Sequence, residues 1–283
     1  MTTEQLAGTA MRDKSKTGDK NRDNESPDQV PVPRSLVPHL DETAILLDID
    51  GTLLELMPTP REVWVPPGLA KTLKGLMVRT SGALALVSGR SLNDIDLIFA
   101  PDRFPAVGGH GAEMRLITEG EPGAPLAPQM DQELKRRLAA IARLSPGILL
   151  EDKGYSLALH YRLAPHAEKA IFEAITLIRA ELPDAPVEVL PGKCVFEIKP
   201  AGFTKANGVR ALMQHAPFAG RRPLFIGDDV TDESVFEIMP EMNGLAFSVG
   251  RRAEGVNGHF DAPSDVREFL ALLLEDATSA PHA

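Results

Sequence analysis

LLDIDGTLLE, residues 46–55, sets two carboxylates, Asp48 and Asp50, at the end of an apolar run and follows them with Gly51 and Thr52. Alternate residues of a strand project to one side, so both side chains can meet one ligand where the strand gives way to the glycine turn. Asp-Gly after a strand is also ordinary turn chemistry. The pair alone therefore leaves both readings open.

Outward from this stretch the pattern alternates. AILLDID (44–50), ALALVSGR (83–90) and PLFIGDD (223–229) are short apolar runs suited to buried parallel strands. GLAKTLKGLMVRT (68–80), LNDIDLIFA (92–100), TKANGVRALMQHA (204–216) and DESVFEIM (232–239) carry helical spacing. Strands alternating with helices predict an α/β fold, a doubly wound, Rossmann-like parallel sheet with helices on both faces, which binds ligands beyond the carboxyl ends of its strands. Three polar clusters fall there: DIDGT (48–52), SGR (88–90) and GDDVTDE (227–233).

Between them the composition shifts. After the Gly/Pro-rich EGEPGAPLAP (119–128), the spacing predicts a helix over 130–144, alternating strands over 148–163, a helix over 166–182 and strands over 187–199. Strands with one apolar and one polar face suit a sheet covered on one side. The expected organisation is a core over 41–116 and 200–275, interrupted by an inserted α/β cap domain over 117–199. Residues 1–40 hold few apolar side chains and predict a disordered N-terminal tail, and 276–283 a flexible C-terminal one.

The 283 residues include 40 acidic and 30 basic side chains, and the net charge of −10 argues against a general nucleic-acid binder. The one cysteine, Cys194, excludes an intramolecular disulfide framework and a cysteine metal cluster. No stretch reaches the roughly 20 apolar residues of a membrane span. A cytoplasmic monomer without membrane or nucleic-acid partners is expected.

Asp228, Asp229 and Asp232 crowd a second strand end, where like charges repel unless a cation neutralises them. An all-oxygen acidic site favours a hard divalent ion, Mg²⁺ above others. A carboxylate beside such an ion can attack phosphorus. Lys205 at a helix start can supply further positive charge, Ser88 can donate a hydrogen bond to a phosphate oxygen, and the other carboxylate can exchange protons with leaving group and water.

DIDGT, VSGR, Lys205 and GDDVTDE, in this order and setting, resemble the haloacid dehalogenase superfamily of phosphatases. More narrowly, GGHGAE (108–113), EDKGYSLALHYR (151–162), PGKCVFEIKPAGFTKANG (191–208) and IGDDVTDESVFE (226–237) resemble the trehalose-6-phosphate phosphatases. The resemblance covers residues from about 44 to 270. It implies that Asp48 is the nucleophile and Asp50 the general acid/base. It further implies that Mg²⁺ is held by the Asp48 side chain, the Asp50 carbonyl and Asp228, with Asp229 and Asp232 supporting the metal or its waters. Ser88 and Lys205 match phosphate-holding positions. The small-molecule substrate implied is trehalose 6-phosphate, read in the cap by Glu151, Lys153, Arg162, Lys193 and Glu197. The strand alternation agrees, since it sets Glu151 with Lys153, and Lys193 with Glu197, on shared faces. Without the resemblance the same residues read as a solvated face with cross-strand ion pairs.

Arg90 is expected to pair with a carboxylate near the site, and His110 and Glu113 to line the cleft, each with a structural role as the alternative. Cys194 is expected to face the cap core, and His160 and Tyr161 to pack or hydrogen-bond within the cap. One departure from the family pattern is Ala206 and Asn207 after Lys205, where Lys-Gly is common; with the lysine retained, little consequence is expected.

Overall fold

The computed structural model describes residues 39–57, 62–117 and 126–279. The strands before the cap are Thr43–Leu47 (β1), Leu84–Val87 (β2), Ala106–Gly108 (β3) and Glu113–Arg115 (β4). Those of the cap are Leu149–Asp152 (β5), Leu157–His160 (β6), Val187–Gly192 (β7) and Val195–Pro200 (β8), and Arg222–Gly227 (β9), Leu245–Val249 (β10) and Gly258–Phe260 (β11) complete the core. The helices are Leu69–Arg79 (α1), Leu92–Phe99 (α2), Gln132–Ala140 (α3), Glu168–Glu181 (α4), Lys205–Leu212 (α5), Val230–Ile238 (α6) and Pro263–Ser279 (α7).

The core sheet has the order β11-β10-β9-β1-β2-β3-β4. All its neighbours pair parallel except β3 and β4, which are antiparallel. β1 is buried at every position because it lies between β2 and β9 with both faces covered. Its pleat divides the core in two. Ile45 and Leu47 pack with Leu73, Leu76, Ile95 and Leu270 on the face of α1, α2 and α7, whereas Ala44 and Leu46 pack with Val209, Leu212 and Phe236 on the face of α5 and α6. This is the doubly wound α/β core that the alternation implies.

The cap sheet has the order β5-β6-β8-β7, all antiparallel. Leu157, Leu159, Phe196 and Ile198 on one face pack against Leu134 and Leu138 of α3 and Ile171 and Ile175 of α4. The alternate positions Glu151, Ala158, Leu190 and Glu197, directly paired across the sheet, face a cleft between cap and core. The one-sided pattern in the sequence corresponds to this arrangement.

The tail expected over 1–40 lies outside the described residues except for its last two positions. α7 extends to Ser279, so 276–279, read from sequence as flexible tail, are helical; 280–283 lie outside the described residues. Among the described residues no helix is long and apolar enough to cross a membrane.

Candidate active site

The carboxyl ends of β1, β2 and β9 bring Asp48, Ser88 and Asp228 to one cleft. Lys205 enters from the first residue of α5, a helix start fixed by Thr204, whose hydroxyl accepts the Asn207 N–H (3.1 Å). The buried Lys205 ammonium donates to Asp48 Oδ1 and to Asp232 Oδ1, both at 2.7 Å. Burial opposes this charge, but Asp232 and Asp48 outweigh it and hold the lysine pKa well above its ordinary value. Lys205 is therefore a fixed cation. Ala206 packs into the core beside Val209, so the departure from Lys-Gly leaves Lys205 in reach of Asp48.

Asp48, Asp228 and Asp232 each offer an oxygen within 4.8 Å of the others, and all three are buried. Burial pushes the Asp48 carboxyl well above the usual range, and Lys205 only partly offsets it. Burial, then Asp232, pushes Asp228 up to about 6, against the opposing Lys193 ammonium. Lys205, and Lys193 at the mouth of the cleft, leave the three carboxylates short of positive charge, and the all-oxygen donor set fits a hard divalent cation. The three carboxylates are not equivalent. Asp232 gives Oδ1 to Lys205 and Oδ2 to the N–H groups of Asp228 and Asp229 (3.0 Å each), so it holds the loop that presents Asp228. Asp229 caps α6, accepting the Val230 N–H (2.8 Å), and lies outside the cluster. Gly51 has φ 82°, and a Cβ there would collide with the Asp228 carboxylate, so glycine is required where the first strand end meets the second.

A stability consequence follows. A carboxyl titrating near 6 when folded and in the ordinary range when unfolded binds more protons folded. Its penalty is absent below about pH 4, grows as pH rises toward 6, and is constant above. In metal-free buffer at pH 7.5, Asp228→Asn is expected to stabilise the protein by roughly 1–3 kcal/mol, with no gain at pH 4. Urea melts with chelator at both pH values check this; an equal gain at both, or destabilisation at pH 7.5, contradicts it.

The Asp50 carboxylate points to Arg90 rather than into the cluster, accepting from Nε (2.5 Å) and Nη2 (2.6 Å). This is the ion pair expected of Arg90. Ser88 is buried, and its Oγ accepts the Arg90 N–H (3.2 Å).

From the cap, Glu151, Lys153, Arg162, Lys193 and Glu197 all line the same cleft, with His110 from the core. Lys193 Nζ lies 3.6 Å from Asp228 Oδ2. Arg162 Nη2 donates to the Lys193 carbonyl (3.3 Å), and Glu151 pairs with His160 (2.9 Å). Glu197 meets Lys153 (3.1 Å), the Ser156 hydroxyl (3.1 Å) and His110 Nε2 (3.0 Å). Burial would raise its pKa, but Lys153 and His110 overcome that and hold it below the usual carboxylate range.

The profile of the trehalose-phosphatase family matches residues 46–267. The chain belongs to the trehalose-phosphatase family. It is 43% identical over 213 residues to a probable trehalose-phosphate phosphatase of Sinorhizobium fredii, covering 75% of this chain and 79% of that one. To the trehalose-6-phosphate phosphatase of Escherichia coli it is 38% identical over 230 residues, 81% of this chain and 86% of that one. Among solved structures it is similar to the C-terminal domain of a C. albicans trehalose-6-phosphate phosphatase, with a TM-score of 0.72 over 83% of this chain and 92% of that one. The identity there is 23%, so that likeness speaks for the fold alone.

In this trehalose-phosphatase chain, Glu113 stands apart from the other candidates. It does not line the cleft: its carboxylate accepts the Leu92 N–H (2.5 Å) and the Tyr155 hydroxyl (2.8 Å), which is the structural alternative of the sequence reading. Cys194 packs against the cap core but also borders the cleft. His160 lines it too, while Tyr161 is buried, stacked on Phe196 and bonded to Glu168. Thr52, given no role from sequence, donates toward Asp48 Oδ2 (3.3 Å) and Asp228 Oδ1 (3.5 Å); its place inside DIDGT was the available signal.

Proposed function

We propose that the chain hydrolyses trehalose 6-phosphate to trehalose and phosphate through a phosphoaspartate at Asp48. The observation that carries this is one cleft that joins Asp48 at a strand end and Lys205 at the start of α5 to Glu151, Arg162 and Lys193 of the cap. The family relationship supports the substrate.

Asp48 attacks phosphorus while Lys205, fixed at 2.7 Å, offsets its charge and Ser88 donates to a phosphoryl oxygen. The P–O bond to the sugar breaks, and Asp50 gives the leaving oxygen its proton. Both Asp50 oxygens here accept from Arg90, so the pair must part and the carboxylate take up a proton from solvent before Asp50 can act as the acid. A water then attacks phosphorus, returning a proton to Asp50 and releasing Asp48. Asp48, Asp228 and the Asp50 carbonyl, with Asp232 behind them, would hold Mg²⁺, which would supply charge stabilisation of the phosphoryl group.

Sugar hydroxyls are read by directed polar groups, which lose free energy when a wrong ligand leaves them unpaired. Glu151, Arg162 and Lys193 take this role. Arg162→Ala is expected to lower kcat/KM for trehalose 6-phosphate by roughly 10- to 1000-fold, about 1.4 to 4 kcal/mol, with a much smaller effect on a small aryl phosphate. Equal loss on both substrates removes Arg162 from sugar recognition.

A phosphatase for sucrose phosphate or glucosylglycerate phosphate, and a regulatory domain that binds sugar phosphate without turnover, are the competing readings. Asp48, Asp50, Asp228 and Lys205 together favour turnover. A phosphate-release panel over these sugar phosphates decides: trehalose 6-phosphate is expected to exceed the others at least about 100-fold in kcat/KM. A better sucrose or glucosylglycerate substrate, or none, overturns the reading.

A further inference from the structure

Glu113 and Tyr155 are both buried, belong to core and cap respectively, and have no part in the chemistry above. Glu113 Oε2 accepts the N–H of Leu92, the first residue of α2, which follows the loop Ser88-Gly89-Arg90 after the N-cap Ser91. Its other oxygen accepts the Tyr155 hydroxyl from the cap turn between β5 and β6. Burial and the neighbouring Glu113 hold that phenol protonated, so it remains a donor. Tyr155 packs with Ala112, Ala127 and Phe203, residues beside the two chain crossings between core and cap.

Lys153, two residues earlier on the same turn, is 7% exposed in its side chain and donates to the Gly89 carbonyl (2.8 Å) as well as to Glu197. Gly89 lies between the hydroxyl that holds phosphate and the guanidinium that clamps Asp50. The loop is supported from its other side by the turn at 108–111, where the Gly109 N–H donates to the Arg90 carbonyl (2.8 Å) and the His110 N–H to the Ser88 carbonyl (3.1 Å). Gly109 has φ 54°, and a Cβ there would collide with the Tyr155 hydroxyl, so the same turn also seats the tyrosine. With its ammonium given to a core carbonyl and a cap carboxylate, Lys153 is placed to order the phosphate end of the cleft.

We propose that the cap turn 153–155 braces the phosphate-holding loop, with Glu113 and Tyr155 as its pivot and Lys153 as a positioning residue that fixes Gly89 when the cap is shut. The inference rests on reading residues 88–90 as that loop, and it moves Lys153 from sugar recognition to the geometry of the phosphoryl site. Cap position is thereby transmitted to Ser88 and Arg90.

The test uses the full chain and the variants Tyr155→Phe and Lys153→Met, with trehalose 6-phosphate, p-nitrophenyl phosphate and orthophosphate as inhibitor. Both variants are expected to lose roughly 10-fold in kcat on both substrates and to bind orthophosphate roughly 5- to 30-fold more weakly, since Tyr155→Phe removes the hydrogen bond to Glu113 and Lys153→Met those to Gly89 and Glu197. Unchanged orthophosphate inhibition and unchanged aryl phosphate turnover in folded variants overturn the proposal, as does a loss confined to KM for trehalose 6-phosphate. If Lys153→Met melts early, Tyr155→Phe, which removes one oxygen, decides alone. If the parent cleaves the aryl phosphate but not trehalose 6-phosphate, the substrate reading fails while the brace is still tested on the aryl substrate and orthophosphate.

Discussion

Asp48→Asn is expected to lower kcat by roughly a thousandfold or more on both trehalose 6-phosphate and an aryl phosphate, with the fold intact. The amide matches the carboxylate in shape, its one oxygen can still accept from Lys205 and its NH2 can donate to the Thr52 hydroxyl, but it cannot attack phosphorus. Lys205 keeps Asp232 as its ion partner at 2.7 Å. Burial already disfavours charge on Asp48, so a neutral side chain there carries no large stability cost. Activity and thermal melting on one preparation check both halves. Near-parent turnover in a variant free of deamidation contradicts the nucleophile assignment.

Lys205→Met is expected to damage both activity and stability. Methionine keeps much of the aliphatic stem but leaves Asp48 and Asp232 buried without their shared cation. Removing one partner from a buried ion pair costs about 3–5 kcal/mol, because uncompensated charge remains. For a chain of this size that corresponds to a fall of roughly 10 °C in Tm. Activity should fall at least about 100-fold, since the charge beside the nucleophile is lost. Differential scanning calorimetry in metal-free buffer is the measurement. A Tm within about 2 °C of the parent would mean that Lys205 does not carry the charge balance of the cluster.

Much of this architecture is legible in the sequence because strands covered on both faces must be apolar throughout. AILL, ALALV and PLFIG end at the acidic, glycine and serine residues that mark ligand-facing strand ends. The cap is legible for the opposite reason: covered on one side, it alternates. LAFSV at 245–249 and the segments of β11 and α7 carry none of the motifs that mark a ligand-facing strand end, so the alternation alone does not single them out although they complete the sheet and one helical layer.

The site residues were harder to sort. Glu113 reads like any acid beside a glycine turn, because its partners lie 21 and 42 residues away in sequence. Lys153, expected on a strand face beside Glu151 but found on the turn after β5, gives no hint in sequence that its ammonium crosses to a core carbonyl, since Gly89 lies 64 residues away. The acidic cluster held a readable clue: Asp229 and Asp232 have the three-residue spacing of a capping box ahead of a helix, and the structure places them in that arrangement. Charge count alone could not separate them from Asp228.

The central claim is that Asp48 carries the phosphoryl group of trehalose 6-phosphate during turnover. Its most direct test is to mix enzyme, Mg²⁺ and trehalose 6-phosphate, quench in acid during steady-state turnover, reduce with borohydride and map the product by peptide mass spectrometry. An acyl phosphate at Asp48 is reduced to homoserine, so homoserine at position 48, absent without substrate and absent in Asp48→Asn, is the predicted result. Phosphate accumulating from trehalose 6-phosphate while Asp48 stays unmodified, or homoserine formed at another aspartate, would contradict the account.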